Sequence, residues 1–529
     1  MNKSYINRVM LAIGVASLAM TGCKKVLDTS PYYAITDASA FASSDKCALV
    51  LNGVYDCAQS APYTDGSLRG YPFGAANIEQ GDCRGEDVVN IQAFYQVTYQ
   101  ATYNSQSANC VAMWSGIYLL INKANIAIDG FQKAATSGII TSAVAIQYEA
   151  ECRFLRAMAH HEALIHFARP YLDGNGTLVG VPWRDFPINS STAVNQIRNT
   201  PRMRTDSVYT KILADLDFAE TNLPNTLFVY RATKAAAIAL KMRIKLHKGD
   251  WAGVITEGNK LVPATVNPSA PTSVVSPIGS WALTASPDGP FTNNSSTESI
   301  FSIKNDALDA PNTNAALSRM YGAADLGGRG LVSLSPIIWN NAGWLCDDKR
   351  RSLLAVAGVN ASGTQSYFST KYRQYTTWAD YAPQIRYSEV LLTLAEAEAR
   401  QGTGVTTRAL QLLNVVRNRS LTNPTTQAYT TFATKNDLIK AILLERRIEF
   451  LAEGKRWSDI SRLAKDADFT TNGIPAKAVN GAAGLSIFVC GGGYTPGQAA
   501  IAYSDYRFLW PISSTEIVQN PIVAQNPLY

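Results

Sequence analysis

Apolar residues recur at every third or fourth position through several long stretches of the chain, the spacing of one face of an α-helix. In MWSGIYLLINKANIAIDG, residues 113–130, that face holds Trp114, Ile117, Leu120 or Ile121, Ala124 and Ile128. AIQYEAECRFLRAMAHHEALIHFARP, residues 145–170, predicts a second long helix halted near Pro170, and the two together predict an antiparallel hairpin. A similar pair follows at 205–224 and 231–251. Val208, Ile212, Leu216 and Ala219 make one stripe there, the alanines of the second helix permit close approach, and Gly249-Asp250 supplies a turn. PQIRYSEVLLTLAEAEARQG (383–402) and TTRALQLLNVVRNRS (406–420) predict two more helices, partnered by LLERRIEFLAEGKRWSDISR (443–462).

That last stretch is crowded with charge. Ala441, Leu444, Ile448 and Leu451 have helical spacing and predict the buried face, which places Glu445, Arg446, Glu449 and Glu453 on the flanks, where they can tie neighbouring helices by charged hydrogen bonds. Gly454 is expected to stop the helix and Trp457 to cover the next packing seam. Helix pairs of this size resemble tetratricopeptide-type units. Between Pro263 and Thr370 the pattern changes to Ser, Asn, Gly and Pro with short apolar runs, SIFSIKND and GRGLVSLSPIIWNNAGW among them, which predict loops and short strands. Ala58–Asn109 and Asp466–Phe508 are irregular in the same way, and long irregular segments commonly line functional surfaces.

Composition narrows the classes. The 529 residues are 47% hydrophobic, enough for a large core, and the net charge of +6 comes from 47 basic and 41 acidic residues too well mixed to imply a nucleic-acid partner. The opening MNKSYINRVMLAIGVASLAMTGCKK has a basic front, an apolar run from Val9 to Met20 and then Gly22-Cys23. The run is shorter than the roughly 20 residues that cross a bilayer, so residues 1–22 read as a lipoprotein signal peptide and Cys23 as the lipidation site, tethered through about Ser30. Seven further cysteines, Cys47, Cys57, Cys83, Cys110, Cys152, Cys346 and Cys490, contain no C-x-x-C pair, and their odd number leaves at least one without a partner in the chain.

The patterns that suggest catalysis fall short. In HHEALIH, His161 and His166 are five apart, which on a helix turns them roughly 140° from one another, so no zinc site is expected there and His160 and Glu162 do not repair it. Glu396 and Glu398 diverge on a helix, and adjacent Asp347 and Asp348 fit solvation or helix capping. No G-x-S-x-G, phosphate-binding glycine loop or dinucleotide fingerprint is present, so neither an enzyme nor a cofactor is expected. Aromatic residues are more suggestive. Tyr63, Tyr71, Phe73, Phe94, Tyr95, Tyr99 and Tyr103 crowd the first irregular stretch, and Tyr321, Trp339 and Trp344 the second. Rigid aromatic faces stack on sugars while nearby amides and charges orient hydroxyls. The expected face therefore combines 71–103 with 321–344, with Tyr71, Phe73, Tyr95, Tyr321, Trp339 and Trp344 stacking and Asn77, Asp82, Arg84 and Arg329 as polar partners.

Several of these stretches, in this order, resemble the SusD/RagB family of outer-membrane lipoproteins of Bacteroidetes: the lipobox ending at Cys23, RFLRAMAHHEAL (153–164), RATKAAAIALKMRIKLHKGDW (231–251), IRYSEVLLTLAEAEA (385–399), LQLLNVVRNRS (410–420), LLERRIEFLAEGKRWSDISR and the terminal FLWPISSTEIVQNPIVAQNPLY. The resemblance implies a mainly α SusD-like fold in one domain, 23–529, with tetratricopeptide-like helices mainly in 111–260 and 385–462 supporting ligand-facing irregular segments near 58–109 and 263–370. It also implies lipid anchoring to the outer membrane facing the exterior, a SusC-like TonB-dependent transporter as partner, and capture of oligosaccharides without catalysis. The alternative is a peptide-binding or structural partner of the transporter. Two departures stand out: CKKVLD places lysines where acidic residues often follow the lipid cysteine, and QNPLY lacks the family's glycine near the end. Mass analysis of protein from its native membrane should find a diacylglyceryl-modified Cys23 at the N-terminus, and an unmodified terminus elsewhere would refute the anchor.

Overall fold

The computed structural model describes residues 37–529 apart from 64, 94 and 227; the signal peptide, Cys23 and Phe94 lie outside the described residues. Long helices dominate. In chain order the principal ones are α1 (Ser44–Ser60), α2 (Ala75–Cys83), α3 (Ala108–Thr136), α4 (Ser142–Phe167), α5 (Thr205–Asn222), α6 (Lys234–Lys248), α7 (Trp251–Leu261), α8 (Tyr387–Gln401), α9 (Thr407–Ser420), α10 (Lys435–Glu449) and α11 (Lys455–Leu463). Local chemistry fixes their ends. Ser43, Thr141, Thr233, Asp250 and Thr434 each accept a backbone N–H of the first turn of α1, α4, α6, α7 and α10. Gly249 closes α6 at φ 70°, a left-handed conformation, immediately before Asp250 opens α7.

From α3 to α9 each helix packs on the next, α1 lies on α3 and α10 on α8. The stripes read from spacing are the buried ones, Trp114, Ile117, Leu120, Ile121 and Ala124 on α3 and Val208, Ile212, Leu216 and Ala219 on α5, except that Ile128 of α3 is only partly buried. The chain makes short antiparallel pairs: β1 (Val88–Asn90), between α2 and α3, with β3 (Val332–Leu334), and, within the segment between α7 and α8, β2 (Ser299–Ile303) with β6 (Ala382–Arg386) and β4 (Ala355–Val359) with β5 (Gln365–Ser369). Strand β6 runs directly into α8. The fold is mainly α with short strands in the loop-rich part, as expected. Two cysteines, Cys346 and Cys490, form a disulfide; Cys47, Cys57, Cys83, Cys110 and Cys152 are buried thiols.

The stretch 58–109 departs from its irregular reading, because it contains α2. Every residue from Ala75 to Cys83 is buried, polar Asn77, Glu79, Gln80 and Asp82 included, so no apolar stripe at helical spacing marks it as a helix in the sequence. Gly81 lies against the turn before α11: a Cβ there would come within 2.4 Å of the Gly454 carbonyl oxygen. Gly454, at φ 74°, does not stop α10, which ends at Glu449, but opens α11, and any side chain on it would strike the backbone of Ile78.

Helix α10 is also rotated from the expected orientation. Ile448 and Leu451 are buried as expected, but so are Leu438, Ile442, Glu445 and Glu449, whereas Ala441 and Leu444 are only partly buried. Carboxylates face inward because cations meet them. Arg350 bonds Asp348, Glu445 and Glu449 at 2.7, 2.6 and 3.1 Å. Arg386 bonds Glu298, Glu449 (2.9 Å) and Glu453 (2.7 Å), and Arg419 joins Glu298 to Glu449. Lys371 reaches Glu453 at 2.6 Å and Arg417 reaches Glu445 at 3.4 Å. Five cations thus answer five carboxylates, all buried. Burial alone would raise the Glu449 and Glu453 carboxyls, but the surrounding guanidiniums and Lys371 outweigh it and hold both below the usual carboxylate range.

Removing one member strands its partners as unpaired buried charges. Arg386→Met should cost about 3–5 kcal/mol in denaturant unfolding. Because these carboxyls titrate lower when folded than the unfolded value of 4.5, their contribution is complete above that pH and is lost as the pH falls below it. The gap in thermal midpoint between the parent protein and Arg386→Met, in which other titrating groups cancel, should therefore stay level from neutral pH to about 5 and narrow below about 4.5.

Candidate ligand groove

The two stretches expected to form the binding face do meet, through the β1–β3 pairing, but they meet as core. Tyr71, Phe73, Asn77, Asp82, Arg84, Tyr95, Tyr321, Trp339 and Trp344 are each no more than 9% exposed. The Tyr71 hydroxyl accepts from Gln80 Nε2 at 3.1 Å. Asp82 accepts from the Tyr321 hydroxyl and from Gly454 N–H (3.1 Å), and burial pushes its carboxyl up to about 7. Arg84 lies 3.3 Å over the Trp457 ring and donates to the Phe508 carbonyl at 2.6 Å. Trp339 stacks on Tyr367 at 4.0 Å and meets Trp344 edge-on, while Arg351 donates to both of their carbonyls. Phe73 and Asn77 line a crevice of about 50 Å³ with His161, His166 and Trp457, too small for a sugar ring. These nine side chains present no free face to a ligand and are corrected to packing roles. Only Arg329 is half-buried, donating to Asn314 at 2.6 Å.

The histidine-rich turn of α4 is equally structural. His166 Nδ1 accepts from Arg84 and its Nε2–H donates to Glu162, both at 3.0 Å, and His160 stacks on Trp183 at 4.0 Å. Burial pushes His161 down to about 3. Among the described residues no group of three or more His, Cys, Asp or Glu could hold a metal ion. Asp348 caps the short helix Lys349–Leu353, and Glu396 and Glu398 pair with different arginines, Arg462 and Arg408.

An open groove of about 270 Å³ lies instead beside α1. Asn52, Tyr55, Asp56 and Gln59 follow i, i+3, i+4, i+7 spacing, so they share one face of α1 and form one wall, while Leu51, Val54 and Ala58 go to the core. Tyr230 and Arg231, just before α6, make the second wall, and Ile303, Lys304 and Asp309, at the end of β2 and beyond, make the third. Tyr230 is 36% exposed and Phe228 beside it 44%, their rings edge-on at 6.1 Å.

The walls are pinned from behind. Buried Glu151 on α4 takes Arg231 through two bonds, Nε at 2.5 Å and Nη2 at 2.7 Å, and accepts the Tyr55 hydroxyl at 2.6 Å, while that hydroxyl accepts Ala232 N–H at 2.9 Å. Burial and the Glu151 charge push the Tyr55 hydroxyl well above its ordinary pKa, so it remains a neutral donor. Gln59 Nε2 donates to Asn305 Oδ1 at 2.9 Å and to the carbonyls of Lys304 (3.1 Å) and Asp309 (3.3 Å). Asp306 accepts Leu308 N–H and Asp309 N–H, both at 2.8 Å, which sets the turn carrying Asp309.

The groove thus pairs exposed aromatic rings with amides, carboxylates and an ammonium, the composition suited to polyhydroxylated ligands. Sequence reasoning missed it, although LFVYRAT before α6 carried a signal: two aromatics alternating in a short linker between helices.

Comparison with known proteins agrees with the fold. The model of the SusD family matches residues 358–529, and that of the SusD-like family described as "Starch-binding associating with outer membrane" matches 25–246. The chain belongs to the SusD family. A SusD-like protein, P2, of Formosa agariphila is 23% identical over 502 residues, covering 87% of this chain and 92% of its own. The crystal structure of a SusD superfamily protein from Bacteroides fragilis superposes with a TM-score of 0.70 at 24% identity, over 92% of this chain and 99% of that one. A laminarin-binding SusD-like protein superposes at 0.66 with 18% identity, over 92% and 100%. SusD-like proteins bind without catalysing, so this member is a binding protein and not an enzyme.

Packing roles carry a measurable consequence. Trp344→Ala should destabilise the protein by about 3–5 kcal/mol, read as a lower thermal midpoint, whereas Tyr230→Ala should leave the midpoint nearly unchanged.

Proposed function

We propose that this SusD-family protein is a cell-surface lipoprotein that captures oligosaccharides in the groove between α1, Tyr230 and Asp309 and delivers them to a SusC-like TonB-dependent transporter. The observation that carries the reading is the exposed Phe228–Tyr230 pair at a groove whose remaining lining is largely polar. A sugar ring laid on Tyr230 covers its apolar face, while its hydroxyls reach Asn52, Asp56, Gln59, Lys304 and Asp309. The family description as starch-binding and outer-membrane-associated supports the glycan class and the location, and the laminarin-binding structural neighbour adds to it. The basic, short apolar N-terminus ending in Gly22-Cys23 supports the lipid anchor. The transporter partnership rests on the family resemblance.

A glycan array of neutral and charged oligosaccharides, run beside a peptide panel, tests the reading. Glycan binding without turnover is expected, and Tyr230→Ala should weaken it about tenfold, or ~1.4 kcal/mol, with an unchanged thermal midpoint. Selective peptide binding with no glycan retained would overturn the reading. Purification from native membranes should bring a TonB-dependent transporter with the protein.

A further inference from the structure

The crevice of about 50 Å³ that Phe73 and Asn77 share with His161 lies where α2, α4, α6, β6 and α11 meet. His161, on α4, is 2% exposed, and its Nε2 has no hydrogen-bond partner among the described residues. The rings of Tyr209 and His247 meet it edge-on without bonding that nitrogen. A buried polar atom with no bond is costly, and nearly all such atoms find a protein or water partner. Other lining groups keep bonding capacity in reserve. Arg243 uses Nε and Nη2 on Glu389, at 2.6 and 2.8 Å, and Nη2 again on the Gln384 carbonyl, so Nη1 takes no part in these bonds. The Lys455 ammonium has three protons and donates to that same carbonyl at 2.6 Å, with Glu389 3.6 Å away.

Charge around the crevice is balanced. Arg243 and Lys455 are answered by Glu389 and Glu162, and Glu453 is taken by Arg386 and Lys371. Burial holds His161 and His166 below the usual imidazole range, so neither adds charge at neutral pH. The Arg243, Lys455 and Glu162 side chains are 13%, 15% and 19% exposed, which leaves little contact with bulk solvent. The walls cannot close further, because α2 and α11 already touch backbone to backbone at Gly81 and Gly454.

We infer that the crevice is a buried hydration site, in which a string of ordered waters runs from His161 Nε2 to the spare N–H groups of Lys455 and Arg243 and so joins α4 to α6 and α11. Water fits in size, polarity and charge. At ~10–15 Å³ for each molecule, the space holds about three. A water both donates and accepts, so it serves the imidazole nitrogen in either tautomer at one end and an ammonium at the other. A bound anion would meet no cation lacking a carboxylate, and a bound cation no carboxylate lacking a partner.

High-resolution crystal structures of the full mature chain, from bromide-free and bromide-soaked crystals, test the site. Without bromide, ordered waters are expected in the crevice, one within about 3.2 Å of His161 Nε2 and one on Lys455 or Arg243. His161→Phe, which keeps a ring but removes the nitrogen, should lose the first water and retain the second. If that variant does not fold, Lys455→Met should show the converse, losing the water beside residue 455 and keeping the one on His161. A crevice without water density, a His161 ring turned onto a protein partner, or an anomalous bromide peak in place of water overturns the assignment. So does a water string left unchanged by either substitution.

Discussion

Ten charged side chains buried together behind α10 are the constraint on which the rest of the structure depends. Arg350, Arg386, Arg417, Arg419 and Lys371 come from five separate positions between the disulfide region and α9, and they close on Glu298, Asp348, Glu445, Glu449 and Glu453. Ions removed from water are tolerated only with close partners of opposite sign, so every element supplying one must be in place for any of them to be. Strand β2, the end of β6, α9, α10 and the turn before α11 are tied in one step. Apolar contact is indifferent to small rotations. A multidentate guanidinium is not, and the network fixes the rotation of α10 that hydrophobic spacing alone leaves ambiguous.

From that centre the scaffold extends in both directions. Glu396 and Asp459 hold Arg462 and Arg446, fastening α11 to α8 and α10, and Glu86 and Asp87 hold Arg447 and Arg456, fastening the segment after α2. Helix α2 is then trapped with backbone against backbone at Gly81 and Gly454. The aromatic residues of 71–103 and 321–344 fill the remaining interior.

The groove is positioned by the same kind of device at smaller scale. Glu151 on α4 holds Tyr55 of α1 and Arg231 before α6, so three elements far apart in the chain share one buried carboxylate. What faces outward follows from what is tied inward. With Arg231 and Tyr55 committed to Glu151, and Lys304 to Asp306, the side chains left for a ligand are Asn52, Asp56, Asp309 and the aromatic pair. A rigid wall with unspent acceptors binds at low entropic cost, because its geometry is set before the ligand arrives.

The sequence by itself determined the helices α3 to α6 and α8 to α10 in outline, their order and most of their buried stripes, because a three-four apolar period is a local statement, whereas α7 and the separate start of α11 at Gly454 were not legible in it. Val208, Ile212, Leu216 and Ala219 needed no other part of the chain to declare their face, and the motif order from 153 to 529 sufficed to suggest the family. It did not reveal α2, whose AANIEQGDC buries four polar side chains and so shows no apolar stripe, nor the inward turn of Glu445 and Glu449, whose partners lie up to about a hundred residues away. The binding face was decided only by tertiary structure. An aromatic residue reads the same in sequence whether its ring is buried against a neighbour, as Trp339 is on Tyr367, or partly exposed, as Tyr230 is beside Lys304, and only the packing of distant segments determines which faces reach water.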